Sequence, residues 1–320
     1  MGLIAPVREP DVPARSATDR RADERRRRAK RRVSSSLTGW SFIAPATILV
    51  VGLALFPAGW AFLLSRKKTN LITPSTDVGW HNYQLMMQDP GLRDAVMHTL
   101  FFTAVFVPVS IIVGMVLAIA LNQRIRLTGF YRTCIFVPFV ASAAATGILA
   151  NFVFDPNFGL ANNDLRVVGL PSQKFLESPT QAMLVLVIIA LWGSIGFNVV
   201  VYLAALQDIP TDVVEAALMD GANRMQVFRH VTMPALGPVT VFTTIWQVIT
   251  ALQLFDLVYT TTKGQPLDST VTIVYYIYRQ AFELLHHGYG SAVAYGLFAV
   301  TMLITLVMVV YSRKTKIEAF

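Results

Sequence analysis

The chain has 320 residues, of which 54% are hydrophobic and only 14% charged, with a mean hydropathy of +0.53. A soluble domain carries about 25% charged residues, so this composition excludes both a soluble globular protein and a disordered one for most of the length. The formal charge of +8 is gathered mainly at one end, and the single cysteine, Cys134, supplies neither a disulfide framework within one chain nor a metal cluster.

Residues 1–36 hold eleven Lys or Arg, five acids and almost nothing apolar. Such a segment cannot bury enough surface to offset its ordering entropy, which predicts a disordered basic tail. No aromatic residue is interleaved to stack on bases, so the partner expected for it is anionic lipid and not nucleic acid. The apolar stretch that follows is far longer than the roughly 7–15 residues of a signal-peptide core, and it reads as a membrane span.

A bilayer core about 30 Å thick needs about 20 helical residues. Six stretches qualify, at about 38–64, 95–121, 133–154, 181–206, 238–260 and 290–312. Hydrocarbon offers the backbone no partners, so each must be helical. Pro, Gly, Asn and Asp mark the breaks between them, as at Thr73-Pro74-Ser75, Asp155-Pro156-Asn157 and Lys263-Gly264-Gln265-Pro266. Pro108 and Pro138 fall inside spans, where neighbours or water can re-satisfy the freed carbonyl. The predicted fold is therefore an all-α integral membrane protein, with a six-helix domain over 37–312 and a short tail over 313–320.

Six spans leave both termini on one side. That side carries nineteen of the Lys and Arg residues and the opposite side eight. Basic residues stay cytoplasmic, so both termini are expected inside, although Arg66-Lys67-Lys68 runs against the rule.

Between spans four and five lies the most patterned loop of the chain, residues 207–237. It is too polar to cross lipid. Pro210 suits a first helical turn, and Asp212 complements the positive end of the helix dipole. Val214, Ala217 and Leu218 share one face. Gly221 can take the left-handed conformation that ends a helix, and Asn223 can open a second. Met225, Phe228 and Val231 then face one way until Pro234 stops the run. The loop reads as helix, sharp bend and helix at the membrane surface. An amphipathic connector lying in the lipid headgroups would show the same periodicity.

Pro210, Asp212, Glu215-Ala216-Ala217, Asp220-Gly221-Ala222, Phe228 and Met233-Pro234 closely resemble the EAA loop of ABC importer permeases. The family pattern runs P-x-D-x-x-E-A-A-x-x-D-G-A, then an aromatic residue and L-P, and the one departure is Met233 for Leu. The likeness extends over about residues 38–315. Phe255-Asp256, Gly264-Gln265-Pro266 and Gly288-Tyr289 are similar to the carbohydrate-uptake subgroup, where G-G-P is usual. The resemblance implies a type I importer permease fold in a bacterial-type inner membrane. It also implies a coupling helix that docks on a cytoplasmic ATPase dimer, a second related permease and an extracytoplasmic solute-binding protein. Within the loop, Glu215 would anchor by a charge-assisted bond, Gly221 would set the bend, and Ala216, Ala217 and Ala222 would allow the close fit. Asp220, Phe228 and Pro234 complete the motif. The chain has no G-x-x-x-x-G-K-S/T phosphate loop, so ATP and its Mg are expected on the partner ATPase, with no cofactor of this chain's own and no enzymatic activity.

Polar groups inside spans are costly and face cavities or neighbouring helices. By likeness to carbohydrate permeases, the substrate path is expected along Trp192, Ser194, Phe197 and Asn198 of span four and Gln247, Thr250, Gln253 and Leu254 of span five. Their aromatic faces, amides and hydroxyls suit a sugar or related polyol. The same side chains could instead bond between helices. Asp256, near the outer end of span five, fits a solvated or gate-pairing role. Arg166, Lys174 and Lys263 could steer anions, which keeps a phosphorylated polyol such as a glycerophosphate as the alternative solute. An ion-coupled carrier is the other rival. It would want a coupling acid deep in a span, and Asp256 is too peripheral for that.

Overall fold

The computed structural model describes residues 40–314 apart from 71, 73, 124 and 125. The basic tail over 1–36 and the last six residues lie outside the described residues. The chain divides into two units, 1–61 and 62–320. The described part of the first is the body of helix α1 (Trp40–Ser65), whose apolar side chains, such as Phe42 and Leu53, are exposed along its length. In water that pattern would be untenable. In hydrocarbon it is the required one.

The second unit opens with a two-residue antiparallel ribbon, β1 (Lys67–Lys68) against β2 (Thr76–Asp77), and a short helix α2 (His81–Met86). Buried Asn82 donates to the carbonyls of Ser65 at 2.8 Å and Lys67 at 3.0 Å, which fastens this ribbon to α2. Helix α3 (Pro90–Leu121) begins earlier than the predicted residue 95. Pro90 occupies the first turn, and the Asp89 side chain accepts from the N–H groups of Gly91 at 2.9 Å and Leu92 at 3.3 Å.

The stretch expected as one span over 133–154 is built from two helices, α4 (Thr128–Val140) and α5 (Ala143–Val153), and the chain turns by 101° between them. Ala141 and Ser142 are extended, with ψ near 143° and 145°, and the Ser142 hydroxyl caps Ala145 N–H at 3.2 Å. Pro138 weakens the helix shortly before that break, and the cap then makes stopping favourable. Gly147 lets α5 approach closely: a Cβ there would lie 2.8 Å from the Thr260 Cβ. A short helix α6 (Leu160–Val167) follows. The loop around it is tied by fully buried Asn162, which donates to the carbonyls of Pro156 and Gln173 at 2.9 Å.

Helix α7 (Ala182–Gln207) packs along α3 and is apolar almost all round. Beyond it lie α8 (Thr211–Met219) and α9 (Arg224–Ala235), then α10 (Gly237–Leu252), which leaves α9 at 59°. Span five was expected to run to 260. It stops at Leu252, and a separate turn, α11 (Asp256–Thr260), follows after Gln253-Leu254-Phe255. Helix α12 (Ile273–Tyr278) and helix α13 (His287–Lys314) complete the chain. Four helices are long and apolar enough to cross a membrane alone among the described residues, or up to six if each of the two bent pairs counts as one span.

Two apolar clusters hold this unit together. Leu92, Phe102, Phe106, Leu186, Val258 and Tyr276 belong to one, and Ala118, Val199, Tyr202, Leu206 and Leu236 to the other. A buried polar string crosses the helices between them. Asn198 Nδ2 donates to the Ser110 carbonyl at 3.0 Å, and Gln247 Nε2 donates to Asn198 Oδ1 at 3.0 Å, which ties α3, α7 and α10. Each amide would be costly to bury unpaired, so the string sets the rotation of these helices about their axes.

Candidate functional site

Three places in the fold gather polar or unpartnered groups. The first is the loop from α7 to α10. Pro210 is extended, with ψ near 130°, and stands one residue ahead of α8 instead of inside its first turn. No residue of α8 is buried; Glu215 and Ala216 are exposed and Ala217 half-buried. The helix closes on Gly221 at φ +84°. Ala222 N–H then reaches back to the Ala217 carbonyl and Gly221 N–H to the Leu218 carbonyl, both at 3.0 Å. This paired closure, with a left-handed glycine after Asp220, is the Schellman arrangement, and it turns the chain sharply. Asn223 opens α9 with a reciprocal cap: Gln226 N–H donates to Asn223 Oδ1 at 3.0 Å, and Asn223 N–H to Gln226 Oε1 at 2.7 Å.

The inward face of α9 is not the expected Met225, Phe228 and Val231 set. Val227 is buried, Phe228 and Val231 are half-buried, and Met225 is 70% exposed. A π turn over Phe228–Thr232 shifts the register partway along, which the regular period could not anticipate. Pro234 does not stop the helix either. The helix continues through it to Ala235, and the bend comes after it, at buried Leu236. The loop leaves large apolar side chains in the open: Met219 is 88% exposed, and Val213 and Leu218 are about half exposed.

The second place is an inner hollow of about 300 Å³, open on one side and lined by α3, the α4–α5 bend, α7, α10 and the turn before α11. Ser194, Phe197, Gln247, Thr250, Gln253 and Leu254 line it. A run of rings borders it, with Phe139 5.7 Å from Phe197 and Phe197 stacked at 5.5 Å on Trp246. Two expected members do not line it. Asn198 is fully buried and turned toward Ser110 and Gln247, and Trp192 is half exposed on another face of α7. Phe197 and Asn198 are neighbours in sequence, about 100° apart around the helix, so one faces the hollow and the other the neighbouring helix. Sequence reasoning missed Ala141 and Ala143, which form part of the wall because the span breaks there; the signal was Pro138 followed by Ser142. Asp256 also contributes to the wall, at the end nearest α11.

The third is an outer hollow of about 770 Å³, at the end of the helices opposite the α8–α9 loop. Asp89 organises it. Its second carboxylate oxygen accepts from the hydroxyls of Tyr276 at 2.5 Å and of Tyr289, and Tyr276 in turn accepts from Gln280 Nε2 at 2.8 Å. Burial pushes the Asp89 carboxyl up. The hydrogen bonds from the two tyrosines and from the Leu92 and Gly91 N–H groups outweigh it and hold the group below the usual carboxylate range. Burial, reinforced by the bond to Asp89, pushes the Tyr276 hydroxyl up to about 12. Two histidines bond separately, His98 to the Val271 carbonyl at 3.1 Å and His286 to Gln280 at 3.0 Å. Among the described residues, no group of three His, Cys, Asp or Glu could hold a metal ion.

Residues 110–316 match the family described as binding-protein-dependent transport system inner membrane component. The chain is 33% identical over 287 residues to the lactose transport system permease protein LacF of Rhizobium radiobacter, covering 88% of this chain and 95% of that one. It is 29% identical over 250 residues to the sn-glycerol-3-phosphate transport system permease protein UgpA of Pectobacterium atrosepticum, covering 78% and 84%. Its fold is similar to a chain in the crystal structure of a bacterial alginate ABC transporter in complex with alginate pentasaccharide-bound periplasmic protein. The TM-score is 0.80 at 21% identity, over 89% of this chain and 97% of that one.

Proposed function

Because the chain belongs to the family of binding-protein-dependent transport system inner membrane components, we propose that its inner hollow carries a sugar or related polyol and that the α8–α9 loop takes force from a separate ATPase. The chain is a multi-pass membrane permease of an ABC importer. On the proposed reading both termini and the loop are cytoplasmic, in a bacterial-type inner membrane. The complex adds a second related permease, two ATPase copies that hold ATP and Mg, and an extracytoplasmic solute-binding protein, while this chain performs no hydrolysis and holds no cofactor.

The observation that carries the coupling role is the exposure of Val213, Leu218 and Met219 on a loop too polar to lie in hydrocarbon. Apolar area left facing water is unfavourable at about 25 cal/mol per Å², and docking into a groove removes it. Glu215, exposed on the same helix, would add a charge-assisted bond at the contact, and Ala216, Ala217 and Ala222 keep the surface low enough for close approach. Asp220, Gly221, Phe228 and Pro234 hold the shape that presents this surface. Closure of the nucleotide-bound ATPase dimer would then rotate the helix bundle as a rigid body and expose the hollow to each side in turn.

For the solute, support comes from the chemistry of the wall. Phe197 and Trp246 offer stacking faces, and Ser194, Gln247, Thr250 and Gln253 offer neutral donors and acceptors, the mixture that sugars require. The glycerol-phosphate relative keeps a phosphorylated polyol as the second reading. The test of coupling is co-purification of the tagged permease with its ATPase. Glu215→Lys should abolish it with membrane insertion intact, and a cross-linker at Ala217 should capture an ATP-hydrolysing chain. Undiminished co-purification by the variant would refute the assignment.

A further inference from the structure

We propose that Asp256 makes the inner hollow selective for uncharged sugars over anionic ones. This deepens the reading of the hollow as the solute path and rests on it. Of the side chains that line the hollow, Asp256 supplies the one carboxylate, and none is Lys, Arg or His. Among the described residues no hydrogen bond or ion pair engages that carboxylate; only its backbone carbonyl is used, accepting from the Thr260 hydroxyl at 2.8 Å. The wall around it is otherwise aromatic, aliphatic or neutral polar, with Phe102, Phe106, Phe139 and Leu254 among its members.

Asp256 is exposed at the end of the hollow nearest α11, so water screens part of its charge, but no cation on the surrounding wall offsets what remains. A sugar hydroxyl can donate to it, and a charge-assisted bond of that kind is about twice as strong as a neutral one. A phosphate, sulfonate or carboxylate group on the solute meets it as a like charge, with no cation of this chain lining the hollow to compensate. Rejection of an unwanted solute by an unpaired like charge is a general route to specificity, independent of how well the rest of the solute fits. The bases that could attract anions, Arg166, Lys174 and Lys263, do not line this hollow. They can raise local anion concentration outside it but do not offset the charge of Asp256 on this chain's part of the wall.

Thiol reagents of different charge test the field of the hollow whatever the solute is. In the full importer complex, Cys134 is replaced by Ser and Thr250→Cys places a thiol on the wall of the hollow. Cationic, neutral and anionic methanethiosulfonates of similar size are then timed against that thiol. The cationic reagent should outpace the anionic one by on the order of tenfold, after correction for their intrinsic rates. Asp256→Asn should bring the ratio close to one and Asp256→Lys should invert it. A ratio that ignores both substitutions overturns the proposal. So does uptake by the wild type of phosphorylated or acidic sugars alone, from a panel of labelled neutral sugars and their phosphates and uronic acids. Failure of the underlying reading shows differently: the ratio responds to Asp256, but Ser194→Trp, which fills the hollow, leaves uptake unchanged.

Discussion

The bend at Gly221 can be tested by substitutions that separate backbone conformation from bulk. The residue sits at φ +84°, and a Cβ added there meets nothing within 4 Å, so a small side chain is penalised by the backbone alone. Placing an L-residue in the left-handed region costs about 1–2 kcal/mol. The competing state is one continuous helix from α8 into α9. Alanine favours that state over glycine by about a further 1 kcal/mol. Gly221→Ala should therefore move the balance between bent and straight loop by about 2–3 kcal/mol, a factor of roughly 30 to 150. Asparagine adopts the left-handed region with much less penalty and is a poor helix former, so Gly221→Asn should retain most of the bend. Spin labels at Val213 and His230 would report the bend as a distance, and co-purification with the ATPase would report docking. The order expected in both is Gly, then Asn, then Ala, with Gly221→Pro lowest because proline also removes the N–H bonded to Leu218. Equal behaviour of the Asn and Ala variants would refute the conformational account, and an Ala variant that stays bent but fails to dock would point to a direct contact at this position.

Asn198→Ala strands the Gln247 amide and removes the interhelical partner of the Ser110 carbonyl, so it should destabilise the detergent-solubilised protein by about 1–3 kcal/mol, measured by thermal unfolding. Gln253→Ala, on the wall of the hollow, should lower uptake while leaving the unfolding temperature close to wild type. Gly147→Ala differs from Gly221→Ala in kind: its Cβ would be forced to within 2.8 Å of Thr260 Cβ, and overpacking there should cost about 1–3 kcal/mol without any change in backbone conformation. Asp89→Ala removes a helix cap and the acceptor of two tyrosine hydroxyls, at about 2–4 kcal/mol near neutral pH. Because the Asp89 carboxyl is held below its ordinary value, its contribution is present above that value and lost as pH falls through the folded one. Unfolding curves of wild type and variant should therefore converge on acidification, and a gap that widens toward acid would contradict the assignment.

Which features could be read from residues alone follows from the range of the interactions that make them. The turn from α8 to α9 is local: Asp220, Gly221, Ala222 and Asn223 are consecutive, and every hydrogen bond that closes it lies within six residues. Its helix, bend and cap are accordingly present in the letters. The six apolar stretches are local as well, because hydrocarbon demands helix from any sequence that enters it. Rotation about the helix axis is another matter. A soluble helix announces its buried face by alternating with polar residues, whereas α7 is apolar toward lipid and core alike, so Phe197 and Asn198 could not be assigned to different faces without the partner helices. Ser110 and Gln247, 88 and 49 residues away, decide where Asn198 points. The break at Ala141-Ser142 was hidden for a related reason. Hydropathy counts apolar residues whether or not the chain turns among them, and only the conjunction of Pro138 with a capping Ser142 distinguishes a folded-back pair from a straight span. The hollow owes its shape to that turn, since Ala141 and Ala143 wall it from a place where a straight helix would have passed by.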